Sequence, residues 1–176
     1  SDFDRLKGVK DATEKWLYRI LHSDELLKQS VVVKVRLHPT DSSKYIEKTI
    51  QLMKPKLPVI LERPRSSNVS IYDSIRDSFA VVGLPSTALF ESLFLRKPSF
   101  LLGDKQLIKN PEWACYFLFS SYLPLIDELE GSDSVFMTPW NEDFEKSRER
   151  AIRDFFGWED GMNGFRAWSI IKSLIE

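Results

Sequence analysis

Apolar and polar positions alternate along this chain with two different periods. Over residues 11–29, Trp16, Leu17, Ile20, Leu21 and Leu27 recur at helical spacing with charged residues between them, which predicts an amphipathic helix. Val31-Val32-Val33-Lys34-Val35-Arg36-Leu37 is β-branched and too short for a typical helix, so it predicts a buried strand. His38-Pro39 ends that strand, because proline lacks a ladder donor and holds its predecessor extended. Thr40-Asp41-Ser42-Ser43 offers capping oxygens for a helix through Tyr45, Ile46, Ile50, Leu52 and Met53, which Pro55 and Pro58 stop. Val59-Ile60-Leu61 predicts a second strand, followed by a polar turn over 63–70 and a short helix over 71–77. A third apolar run, 79–83, leads into a helix over 86–95 and a fourth strand over 99–102.

Strands alternating with helices predict an α/β domain of Rossmann-like type, a parallel sheet with helices on both faces. Beyond Gly103 the pattern turns mostly helical. A helical stretch over 113–129 is interrupted near Pro124, a short strand is expected at 134–137, and a charged helix covers 141–156 after Pro139-Trp140. Gly157, Gly161 and Gly164 punctuate a loop before a closing helix that places Phe165, Trp168, Ile171 and Leu174 on one face. The aromatic run 113–122 is much shorter than the roughly 20 apolar residues of a membrane crossing, and reads as a core helix.

With 176 residues, 43% of them hydrophobic and 29% charged, the chain is sized for one globular domain with a substantial core. Twenty-five basic residues against 26 acidic ones supply no broad positive field for a nucleic-acid backbone, so an anion has to be bound locally. The single Cys115 allows no internal disulfide or thiolate metal cluster and suits a reducing cytoplasm. The charged opening residues resemble no signal peptide, and the polar start without a methionine is expected of a piece of a longer protein.

In open parallel α/β sheets, ligands collect outside the carboxyl ends of the strands. His38-Pro39 and Leu84-Pro85-Ser86-Thr87 both fall there. Ser86 and Thr87 open a helix directly after a strand, so their hydroxyls and the first-turn amides form a pocket for a phosphate; the plainer reading is an ordinary helix cap. Glu91, one turn after Thr87, can accept from a ribose hydroxyl or sit as a surface carboxylate. His38 can donate to a phosphate or base oxygen, Arg36 shares its strand face, and either can equally serve structure alone. Arg63 and Arg65 read as solvated loop charges, Ser70 and Asp73 as caps of the short helix, and His22 as a packing or solvated residue. No dinucleotide glycine turn, Walker loop or nucleophile elbow occurs.

Val-Arg-Leu-His-Pro followed some fifty residues later by Val-Val-Gly-Leu-Pro-Ser-Thr-Ala-Leu-Phe-Glu resembles the HP and Ser/Thr motifs of GT-B glycosyltransferases. These motifs occur in bacterial sialyltransferases and polysialyltransferases, in Kdo transferases of capsule and lipopolysaccharide synthesis and, more distantly, in CDP-glycerol glycerophosphotransferases. The similarity spans mainly residues 31–103 and includes Ser70-Ile71-Tyr72-Asp73-Ser74-Ile75. It implies the C-terminal, donor-binding half of a two-domain GT-B enzyme. His38 with Pro39 and Arg36 would lie at the nucleotide, Ser86 and Thr87 would hold its phosphate, and Glu91 would contact its ribose. Arg96 stands where the family's Gly-Lys-Pro has glycine, which implies a different turn before the fourth strand.

The function so implied is binding of a nucleotide sugar, with a CMP-sugar as the first choice, in bacterial surface polysaccharide synthesis. The glycan or glycolipid acceptor and the catalytic carboxylate would belong to a missing N-terminal domain, leaving this chain inactive alone. No cofactor, metal or nucleic acid is implied; the expected location is the cytoplasm, with peripheral association at the inner face of the membrane as part of the same expectation. The alternatives are a CDP-glycerol glycerophosphotransferase-like domain and a non-catalytic α/β module that docks a partner through the aromatic helix over 113–122.

Overall fold

A computed structural model describes residues 2–37, 43–63, 70–103, 105, 114–128 and 133–156. The fold is mixed α/β with short parallel strands. Helix α1 (Asp2–Leu21) is followed by α2 (Asp24–Lys28), β1 (Val33–Arg36), α3 (Ser43–Met53), β2 (Val59–Glu62), α4 (Ile71–Arg76), β3 (Val81–Gly83), α5 (Thr87–Phe94) and β4 (Ser99–Leu101). Helices α6 (Ala114–Ser120) and α7 (Glu142–Phe156) follow, with 3₁₀ turns at Ile126–Glu128 and Asp133–Met137 between them. The capping residues 40–42, His38-Pro39, Arg65 and the glycine loop with its closing helix lie outside the described residues.

Two expectations are corrected. The helical period over 11–29 belongs to two helices, because Ser23 takes an extended backbone and its hydroxyl accepts the Leu26 amide at 3.3 Å, starting α2 afresh. Residues 134–137 form no strand. The Thr138 amide donates to Val135 at 3.1 Å and Asp133 receives the Arg19 guanidinium at 3.1 Å, which winds the segment into a 3₁₀ turn that buries Phe136.

The strands pair in parallel as expected, but in two separate two-stranded sheets and not in one continuous sheet. β1 lies beside β2, from Val33 opposite Val59 to Arg36 opposite Glu62, and β3 lies beside β4, from Val81 opposite Ser99 to Gly83 opposite Leu101. Leu101 adds an isolated parallel bridge to Leu125. With only three or four residues per strand, the pairs are joined by packing instead of by a ladder. Val33 of β1 and Val82 of β3 lie against one cluster built on Trp16, Leu26, Phe100, Leu102 and Phe136. A second cluster joins Leu89 and Leu93 of α5 to Leu101, Leu125 and Ala151 of α7.

Each parallel pair is connected through a helix that returns the chain to the amino edge. β1 is thus followed by α3, and the carboxyl end of β3 by the turn that leads into α5. Three of the turns back towards strands are made by non-glycine residues in the left-handed region: Ser30, Lys54 and Arg96, with φ of 56°, 50° and 55°. At α5 the Arg96 amide donates to Leu93 at 3.1 Å and the Lys97 amide to Ser92 at 3.0 Å, the double closure of a Schellman end. Arg96 thus adopts the conformation that a glycine would supply, and its side chain reaches Glu145 on α7.

Candidate functional site at the carboxyl ends of the strands

β1 and β2 end side by side on Arg36 and Glu62, so two opposite charges are brought together by the register of the pair. Arg36 Nη1 donates to Glu62 Oε2 at 3.2 Å and to Ser74 Oγ at 2.8 Å, and Ser74 Oγ donates to the same carboxylate oxygen at 2.5 Å. Glu62 and Ser74 are both buried, at 9% and 7% exposure. A buried carboxylate needs such compensation, and the three-way contact fastens α4 to the carboxyl ends of both strands. Arg36 therefore enters the region as part of an internal network, with Nη1 committed to protein groups.

α4 is set by its own cap. Ser70 Oγ accepts the Asp73 amide at 3.1 Å and donates to Asp73 Oδ2 at 2.7 Å, as the sequence indicates for these two residues. This hydrogen bond from Ser70 holds the Asp73 carboxyl below the usual carboxylate range, with Arg76 adding to the effect. α4 packs along α5, which links the Arg36 network to the helix that starts with the Ser-Thr pair.

β3 ends at Gly83, where a Cβ would stand 3.4 Å from Leu89 Cδ2 on the first turns of α5. That is an ordinary contact distance, so the first turns of α5 lie against the end of β3 with room for a Cβ. Ser86 takes the N-cap position of α5 with φ −158° and ψ 156°, its carbonyl accepts the Leu89 amide at 3.1 Å, and its hydroxyl makes no capping bond. Ser86 and Thr87 are both exposed. The positive end of α5 thus presents two hydroxyls and first-turn amides to solvent, the chemistry that an anion requires.

Glu91 lies one turn along α5 and is half-buried. Its Oε2 is out of contact with solvent and receives no hydrogen bond among the described residues, so it is an acceptor without a donor. Ser92, the next residue, is turned inward, where its hydroxyl meets Leu89 O and Ser99 Oγ at 2.7 Å each.

Of the site residues expected from sequence, the structure describes Arg36, Ser86, Thr87 and Glu91, while His38 and Pro39 lie outside the described residues. Glu62 and Ser74 were not anticipated. The one trace of Glu62 in the sequence is a charge closing an otherwise apolar run, Val59-Ile60-Leu61-Glu62. His22 lies apart from this region, with Nδ1 2.8 Å from Tyr18 O and its ring stacked on Tyr18. Among the described residues no group of three or more His, Cys, Asp or Glu side chains is gathered as for a metal ion, and no helix is long and apolar enough to cross a membrane.

No family model matches the chain, and no curated protein or solved structure matches it.

Proposed function

We propose that the chain is the donor-binding domain of a GT-B-type glycosyltransferase and holds a nucleotide sugar, with a CMP-sugar as the first choice. The observation that carries this reading is the start of α5, where Ser86 and Thr87 stand exposed directly after the carboxyl end of β3 and the Ser86 hydroxyl makes no capping bond. Ligands of open parallel α/β sheets collect outside the carboxyl ends of the strands. The two motifs follow two of the strands, His38-Pro39 after β1 and Ser86-Thr87 after β3.

In this reading the donor phosphate sits on the first turn of α5, between the hydroxyls of Ser86 and Thr87. Helix amides and hydroxyls neutralise a leaving phosphate without a metal. His38 donates to the same nucleotide from the β1 side, next to Pro39. Glu91, half-buried one turn further along α5, is assigned to a ribose hydroxyl, which a nucleotide supplies and inorganic phosphate does not. Arg36, held by Glu62 and Ser74, fixes the end of β1 from which His38 departs. Acceptor and catalytic carboxylate are assigned to a second domain.

Calorimetric titration with CMP, CDP and UDP tests the reading. Saturable binding is expected, abolished by His38→Ala and weakened about tenfold by Ser86→Ala, in line with loss of a charge-assisted hydrogen bond. Absence of saturable binding to all three, or an affinity untouched by His38→Ala, contradicts it. A clear preference for CDP over CMP moves the assignment to the glycerophosphotransferase type.

A further inference from the structure

A cavity of about 370 Å³ lies away from the carboxyl rim, between the segment after α6, the 3₁₀ turn at Asp133–Met137 and the start of α7. Connectivity places it at the opposite edge of the strands. Ser120 to Pro124 precede Leu125, which bridges Leu101 in parallel, and Arg96, in the turn entering β4, bonds Glu145 on the first turns of α7 at 3.2 Å. Both walls are therefore at the amino edge, whereas Ser86 follows the carboxyl end of β3.

The lining has two parts. Phe100, Tyr122 and Phe144, each less than a tenth exposed, give an apolar floor, while Thr138, Asn141, Asp143, Ser147 and Arg150 give a polar rim. Asp143 and Ser147 are four residues apart on α7 and share one face. The side chains of Thr138, Asp143 and Ser147 take part in no hydrogen bond or ion pair among the described residues, and Asn141 uses only Oδ1, which accepts the amides of Asp143 and Phe144 at 3.1 Å. Two hydroxyls, a carboxylate and an amide NH₂ thus converge beside aromatic rings with their bonding capacity unspent.

We infer that this cavity binds an uncharged polyhydroxylated ligand, a mono- or disaccharide. An apolar ligand would strip water from four polar groups and return nothing. An anion is opposed by Asp143, and the helix end here is already met by Asn141 and by Glu142, Asp143 and Glu145. The one cation among the described lining residues, Arg150, is spent on the Ser121 carbonyl and lies over the Tyr122 ring at 5.2 Å. A sugar ring presents hydroxyls on its rim and C–H groups on its faces, which matches hydroxyl and carboxylate partners beside aromatic carbon. The volume is at the lower end of the roughly 300–1,000 Å³ usual for small-ligand sites, which suits a ligand of one or two sugar rings.

The site is independent of the nucleotide reading, and its test is too. Backbone amide resonances of the full chain are followed by NMR during titration with glucose, with galactose and, for comparison, with inorganic phosphate. Saturable shifts confined to residues 120–124 and 138–147 are expected with at least one sugar, with phosphate producing none there. Asp143→Asn and Ser147→Ala, both at positions without internal bonds, are expected to keep the folded spectrum and each to weaken the sugar about tenfold. No saturable shift with either sugar, shifts that survive unchanged in both variants, or shifts there with phosphate alone overturn the assignment.

Discussion

Arg36 and Glu62 show how a single contact ties the candidate site to the stability of the fold. The carboxylate is buried and has two donors, so removing either partner leaves an uncompensated polar group. Glu62→Ala is expected to cost about 3 kcal/mol in urea unfolding and Ser74→Ala about 1 kcal/mol, the second losing a hydroxyl and not a charge partner. Equal small losses for both would contradict the network. Glu145 behaves differently because it is more open to solvent. The Arg96 guanidinium first, and then the Trp140 indole N–H, hold its carboxyl below the usual carboxylate range. A depressed folded pKa gives stability that is present above the ordinary carboxylate range and lost as pH falls through the folded value. The melting temperature is therefore expected to drop on acidification below about pH 4, and more shallowly in Glu145→Gln. At this scale the sequence placed Ser86, Thr87 and Glu91 on the start and first turns of a helix, because that position follows directly from a strand and a helix period. It did not carry Glu62 and Ser74, since their meeting depends on which residue lies opposite which in a pair of strands.

Among the elements, the ends of helices are where sequence and structure part most. Ser30, Lys54 and Arg96 close α2, α3 and α5 in the left-handed region without a glycine among them. Such a residue stores backbone strain, roughly 1–2 kcal/mol before the entropic cost of glycine is set against it. Ser30→Gly is accordingly expected to raise unfolding stability by about 0.5 kcal/mol or somewhat more. Arg96→Gly is expected to gain less than Ser30→Gly, because it also removes the bonds to Glu145. A destabilised Ser30→Gly protein would contradict the strain. The periods of β1, β2, α3, α5 and α7 were legible within a residue or two. The turn at Asp133–Met137 was not, because Ser-Val-Phe-Met suits a strand locally and is wound up by the distant Arg19.

Over the whole molecule, two short parallel pairs are held together by side chains more than by hydrogen bonds between them. Phe100 is central to this, 1% exposed and edge-on to Phe136 and Phe144. It joins the β4 pair to Trp16 and to the wall of the amino-edge cavity. Phe100→Ala is expected to cost about 3–5 kcal/mol, comparable with the entire stability of a small domain, and so to unfold much of the protein at 37 °C. A loss below about 1 kcal/mol would show that the pairs do not depend on the shared core. The alternation of strand and helix announced parallel pairing from sequence, whereas the split into two pairs rests on contacts between segments far apart in the chain.

The central claim is that a nucleotide phosphate rests on the start of α5, directly after the carboxyl end of β3. Amide resonances of the full chain recorded during titration with CMP test it most directly. Saturable movement of Leu84, Ser86, Thr87 and Ala88, reduced in Ser86→Ala, is the predicted result. Unmoved amides in this segment at saturating CMP, or movement confined to other parts of the chain, would contradict it.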